Sequence, residues 1–316
     1  MSRFQVRTDL VLEARESITE GKTELHGVRV SEFDLEENNI HITKVMIETK
    51  NAAKTIGKPI GTYITIEAPE LLEADEDYHR EISKSLAEEL QEMLPMKDEG
   101  VSVMVVGLGN REVTADALGP RVLDNLYITR HIVKIYGKAA YGNLLVNEVS
   151  SFEPGVMAKT GMESAEIVKG VVTQAKPDAL IVIDALAARS TKRLNRTIQI
   201  ANTGIQPGSG VGNHRNALTE ETLGIPVIAI GVPTVVDAAT IVNDALEKIS
   251  SSKKELEHFK SLERFYRTYS ELNNMYMTGK DIDEMIKRMS FTLSEGINIA
   301  LSGKEESVKT FTHILD

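Results

Sequence analysis

A chain of 316 residues, 41% of them hydrophobic, carries enough apolar matter for a sizeable core. Its formal net charge of −11 repels a phosphate backbone, so direct nucleic-acid binding is not expected. With no cysteine, a thiol nucleophile, a disulfide framework and a thiolate metal site are excluded.

The amino terminus, MSRFQVRTDLVLEARES, intersperses charges and lacks the apolar core of a signal peptide. No later run approaches the roughly 20 apolar residues of a membrane helix, so a cytoplasmic protein without a membrane partner is expected. Residues 1–39 read as a polar, acid-rich stretch. Ile40–Glu48 then alternates as a strand does, and Pro59–Ala68 is its expected partner. The intervening NAAKTIGK reads as a hairpin loop, which gives a small antiparallel N-terminal layer. Further on, Tyr78, Ile82, Leu86 and Leu90 recur at four-residue steps, the mark of an amphipathic helix closed by Pro95.

From residue 101 apolar runs alternate with helical stretches. VSVMVVGLGN (101–110), ALIVIDALA (179–187) and PVIAIGVPTVV (226–236) read as central strands. Helices are expected over 162–176 and 236–249, with a helical tail over 253–271 and 279–301. The pattern predicts an α/β fold: a three-layer core with a mainly parallel central sheet flanked by helices, beside the antiparallel N-terminal layer. No repeat, low-complexity segment or Pro/Gly/Ser-rich linker divides it, so residues 10–316 are expected to form a single domain.

In open α/β sheets ligands bind beyond the carboxyl ends of the strands. Asp116 follows the first central strand and Asp184 interrupts the second, where an unpaired charge is costly. Two carboxylates at one cleft can share a proton while one activates water. The plainer role for Asp116 is to cap the helix that begins at ALGPRV. TGIQPGSGVGNHR has the glycines of a phosphate loop but no GK[ST] ending. A loop that lets an extended peptide approach the backbone fits it better, and Gly208, Ser209, Gly210, Gly212, Asn213 and His214 are its cleft candidates. The seven histidines include no HExxH and no i, i+4 pair, so neither a metal site nor a cofactor is expected. His131 and His214 are left as groups that could orient a carboxylate. No GxSxG occurs, and Ser209 has no recognisable base beside it.

VVGLGNREVTADALGP, PGVMAKTGMES, IVIDALAARS, TIQIANTGIQPGSGVGNHR and LGIPVIAIGVPTVVDA, in this order, resemble the motifs of the germination protease family, with further similarity at RTDLVLEA and TGKDIDEMI. The resemblance implies an endopeptidase that begins the degradation of small acid-soluble, DNA-protecting spore proteins at germination, working as a homotetramer in the spore core. It implies that Asp116 and Asp184 are the catalytic pair. It also implies a self-processing zymogen cut between Asp9 and Leu10, with residues 1–9 a candidate propeptide. The implied fold is that of the hydrogenase maturation proteases. Because those relatives place acidic residues around a nickel ion of their substrate, a metal-assisted peptidase is the alternative. A non-enzymatic nucleotide-binding regulator is a third reading, resting on the glycine loops alone.

Overall fold

The computed structural model describes residues 8–19, 25–35, 38–73, 75–97, 100–137, 147–207, 216–249, 272 and 275–302. The three Val/Ile-rich runs form neighbouring parallel strands: β4 (Ser102–Gly107), β6 (Ala179–Ala188) and β8 (Val227–Asp237). β5 (Glu148–Phe152) adds in parallel outside β4. On the other side β8 pairs antiparallel with β7 (Thr197–Ala201), and β7 with β3 (Gly61–Glu67). β2 (Ile40–Ile47), β1 (Val28–Leu35) and the short β9 (Tyr276–Met277) complete a nine-stranded sheet in the order β1-β2-β3-β7-β8-β6-β4-β5, with β9 on β8. The expected pairing of the two N-terminal strands is present. These strands extend the main sheet, because β7 bridges β3 to β8.

NAAKTIGK is not a plain loop. It folds as α2 (Lys50–Ile56), where Thr49 accepts the Ala52 N–H and Gly57 closes the last turn in the left-handed region. Its alanines favour helix, and Ala52 and Ile56 are buried, so the Asn and Gly that suggest a turn occupy the helix ends. Residues 1–39 also hold more structure than their polarity suggests: α1 (Val11–Thr19) and β1 lie within them.

Helices cover both faces. α3 (Glu76–Met93), capped by Asp75, packs with α4 (Leu118–Leu123) and α10 (Ile282–Ser302) over Ile64, Val105, Ile183 and Ile230. Each such buried aliphatic side chain stabilises the fold by about 1.5–3 kcal/mol. On the opposite face α7 (Ser164–Ala175) covers Met104, Val106, Leu180 and Val182. There α1 and α2 cover Val45, Ile47 and Tyr63. Short helices α5 (Arg130–Tyr136), α6 (Met157–Thr160) and α8 (Glu220–Leu223), with α9 (Ala238–Ile249), fill the connections. The expected helices at 162–176, 236–249 and 279–301 therefore correspond to α7, α9 and α10, while the expected helix at 253–271 lies outside the described residues.

Candidate active site

Two neighbouring strands of unequal reach create a notch in the sheet. The last pairing of β4 with β6 is Gly107 with Ile183, but β6 continues along β8. Asp184 is therefore the first residue of β6 beyond β4, paired with Gly231 of β8 and only 7% exposed. One of its carboxylate oxygens accepts the N–H of Ala185 at 3.0 Å.

The chain leaving β4 folds back over this notch. Leu108 donates its N–H to the Ile183 carbonyl at 2.8 Å, and Gly109 then turns the backbone at φ +115°. A Cβ at Gly109 would stand 2.0 Å from the Asp116 carbonyl oxygen, so only glycine allows the return. Asn110 donates its N–H to both the carbonyl of Asp116 (3.1 Å) and its carboxylate Oδ2 (2.8 Å). Asp116 ends a 3-10 turn, Thr114–Asp116. That turn is held from outside by the Thr234 hydroxyl on the Ala115 carbonyl (2.6 Å) and by the Thr114 hydroxyl on Asp283 of α10 (2.9 Å). At the start of α4, Gly119 lies against the sheet so closely that a Cβ would meet the Leu108 and Ile183 carbonyl oxygens at 2.4 and 2.6 Å. α4 has no side-chain cap, so Asp116 does not serve as one, and its carboxylate binds Asn110 instead. Asp116 thus lies in the return that follows the carboxyl end of β4, and Asp184 lies partway along β6 where β4 stops, the two segments being joined through the Leu108–Ile183 hydrogen bond.

The segment from Thr8 onward docks beside this notch. Asp9 donates its N–H to the Ala187 carbonyl (3.1 Å), and its carboxylate accepts the Ala187 N–H (3.0 Å). Two side chains reach the Asp9 carbonyl oxygen: Lys58 Nζ at 2.9 Å and Gln199 Nε2 at 3.3 Å. The other end of Gln199 accepts the Val11 N–H at 2.7 Å. Leu10 is fully buried against Leu186 and Ala188. Gln199 and Asp184 share one row across the sheet, because Gly231 of β8 is the register partner of both. Asp9, Lys58, Tyr63 and Gln199 line a cavity of about 460 Å³. Burial lowers the Lys58 pKa from its ordinary value, and the nearby Asp9 carboxylate opposes that shift.

Farther along, the Glu13 carboxylate, 2% exposed, accepts the N–H groups of Arg189 (2.8 Å) and Ser190 (3.0 Å) and the Thr8 hydroxyl. Arg193 pairs with Glu16 through two 2.7 Å bonds and with Glu67 at 2.8 Å. Burial alone would lower the Arg193 pKa, but the bonds and charges of Glu16 and Glu67 outweigh it and hold Arg193 above its ordinary value.

His131 occupies an exposed position on α5, and the cleft candidates Gly208, Ser209, Gly210, Gly212, Asn213 and His214 lie outside the described residues. Among the described residues no group of three or more His, Asp and Glu side chains is gathered to hold a metal ion. No described helix is long and apolar enough to cross a membrane. Lys58, Gln199, Glu13 and Arg193 had no sequence signal, since the side-chain partners named above lie 49 to 190 positions away in the chain, Thr8 beside Glu13 excepted.

Residues 6–268 match the family model described as germination protease. The chain is similar to the germination protease of Caldanaerobacter subterraneus subsp. tengcongensis, 48% identical over 94% of each chain. It is also similar to that of Clostridium tetani, 44% identical over 94% of this chain and 96% of the relative. The germination protease of Bacillus cytotoxicus is 36% identical over 99% of this chain and 98% of its own. Among solved structures, the NiFe hydrogenase maturation protease HycI from Thermococcus kodakarensis KOD1 is similar at 15% identity and a TM-score of 0.32, covering 66% of this chain and 97% of that one. With its family model matched over most of its length and such relatives matched nearly end to end, this chain belongs to the germination protease family.

Proposed function

We propose that this member of the germination protease family acts as a peptidase of spore germination. We propose that it hydrolyses peptide bonds with Asp116 and Asp184 as an aspartate pair, that its substrates are small acid-soluble spore proteins, and that it works as a homotetramer in the spore core. We propose further that it is made as a zymogen and cuts itself between Asp9 and Leu10. The observation that carries the aspartate reading is the notch: Asp184 is the first β6 residue beyond β4, and the returning chain brings the Asp116 turn back to that strand end. One carboxylate takes a proton from water as the water oxygen attacks the carbonyl carbon, and the protonated partner binds the carbonyl or supplies the leaving nitrogen. The docked backbone of Asp9 and the burial of Leu10 support the processing site, because an acidic residue followed by an apolar one is held by both flanks.

The test is mass spectrometry of a small acid-soluble spore protein incubated with the trimmed enzyme, beside Asp116→Asn and Asp184→Asn. The parent should cut the substrate while each variant loses at least about 100-fold in rate with an unchanged fold, the scale of a lost acid–base group. Activity retained in both variants would sink the pair. Loss of the parent's activity on chelation would replace it with the metal-assisted alternative.

A further inference from the structure

A main-chain carbonyl contacted by two side chains from separate parts of the fold marks a place where negative charge can be received. The Asp9 carbonyl oxygen has this arrangement, with Lys58 Nζ following α2 and Gln199 Nε2 from β7. Asp9 is clamped on one side by its backbone and carboxylate contacts to Ala187. On the other side Val11 is held by the same Gln199, and Leu10 is buried between them. The peptide bond from Asp9 to Leu10 is therefore fixed at both ends, with its oxygen turned to a cation and an amide.

We propose that Lys58 and Gln199 form the oxyanion-binding pair for hydrolysis of the Asp9–Leu10 bond. The inference rests on the reading that this bond is the one the chain cuts in itself. As the water oxygen bonds to the Asp9 carbonyl carbon, the C=O electrons move onto the oxygen, where the ammonium of Lys58 and the N–H of Gln199 meet the developing charge. The carbon–nitrogen bond to Leu10 then breaks. Asp9 leaves with a carboxylate, and the Leu10 nitrogen, taking both protons of the water, leaves as an ammonium. No oxidant or co-reactant is needed. Donors already in place cost no rearrangement as charge develops, and a partly desolvated site strengthens them. The lowered Lys58 pKa agrees with this placement, since burial makes the ammonium a more ready partner for an anion than it is in water. Among the described residues, Asp9 and Tyr63 are the other titratable side chains lining the cavity; Tyr63 gives its hydroxyl hydrogen to the Pro59 carbonyl, and burial raises its pKa.

The experiment follows self-cleavage of the full chain at Asp9–Leu10 by intact mass across a pH series, for the parent, Lys58→Met and Lys58→Arg, with circular dichroism as a check on folding. Lys58→Met should slow cleavage about 100-fold, the usual effect of deleting one oxyanion donor. Lys58→Arg should recover most of that loss. The parent rate should fall on the alkaline side as Lys58 loses its proton, and Lys58→Arg should lack that fall because arginine stays charged. A tether that only held the segment down would leave the alkaline limb unmoved by the Arg variant. The inference is overturned if the parent is cut at this bond and Lys58→Met is cut equally fast, or if the alkaline limb is identical in the parent and Lys58→Arg. A parent that is never cut between Asp9 and Leu10 overturns the processing reading itself, and this inference with it. Should Lys58→Met fail to fold, the comparison of Lys58→Arg with the parent still decides between these outcomes.

Discussion

Thr234 of β8 gives its hydroxyl hydrogen to the Ala115 carbonyl across 2.6 Å, although 119 positions separate the two residues. Thr234 is fully buried, and its own carbonyl accepts the Thr278 hydroxyl at 2.6 Å. The turn that ends at Asp116 is thereby fixed to a central strand one residue before the carboxylate. Thr234→Val keeps the shape and removes the donor. An unsatisfied buried carbonyl costs about 1–3 kcal/mol, which urea unfolding would register. The larger effect should be on kcat, up to about 100-fold, because small misplacements of a reacting group are that costly. Stability lost with kcat intact would show that the position of the turn does not matter to the chemistry.

Gly109→Ala tests the same turn from the other side. At φ +115°, with the Asp116 carbonyl oxygen 2.0 Å from where a Cβ would stand, alanine must push the return segment off the notch. The expected outcome is loss of peptidase activity together with a stability cost of about 1–3 kcal/mol. Unchanged turnover in the folded variant would contradict the tight return.

Glu13 is the buried anchor of α1. Glu13→Ala leaves the Arg189 and Ser190 N–H groups without their acceptor and removes a carboxylate 3.8 Å from Arg193. A local cost of about 3 kcal/mol is expected from unsatisfied buried donors beside a buried charge. Limited proteolysis should then open residues 8–16 before the rest of the molecule, with Glu13→Gln intermediate because it keeps one acceptor. Equal protection in all three proteins would show that the segment is held by other contacts.

Lys58 also makes a prediction for stability against pH. Its folded-state pKa lies below the ordinary value of 10.5, so in the interval between the two the unfolded chain binds more protons than the folded one. Stability from this group therefore rises as pH climbs through that interval. Lys58→Met should lose the rise, so that the parent gains on the variant as urea melts are moved from neutral pH towards 10.5. Parallel curves would mean that the lysine is not effectively desolvated.

The long apolar runs were legible because buried parallel strands need little else: β4, β6, β8 and the helices α3, α7 and α10 match what their side-chain patterns suggest. β1 was not legible, since most of its residues are exposed at the edge of the sheet and no alternation develops. α1 was hidden by chemistry. Glu13 and Glu16 look like solvated charges until Arg189, Ser190 and Arg193, some 176 positions later, arrive to receive them. Asp184 could be singled out from its apolar flanks, whereas the notch at which it stands depends on where β4 stops, which the apolar run through Leu108 does not reveal. Lys58 and Gln199 carried no local pattern, because what distinguishes them is a carbonyl supplied by a distant segment.

The burial of Leu10 has a consequence once the proposed cut is made. Before cleavage its nitrogen is a neutral amide that donates to the Thr8 hydroxyl at 3.0 Å, while its side chain lies against Leu186 and Ala188. After cleavage the same atom is an α-amine with an ordinary pKa of about 8, largely charged at neutral pH. The cut also severs Thr8, the partner of that nitrogen, from the rest of the chain, and a charge left at the edge of a buried side chain is better solvated in water, so the new terminus has reason to leave. Its departure would draw Val11 away from Gln199, and the reaction product would thereby clear its own berth for the next chain.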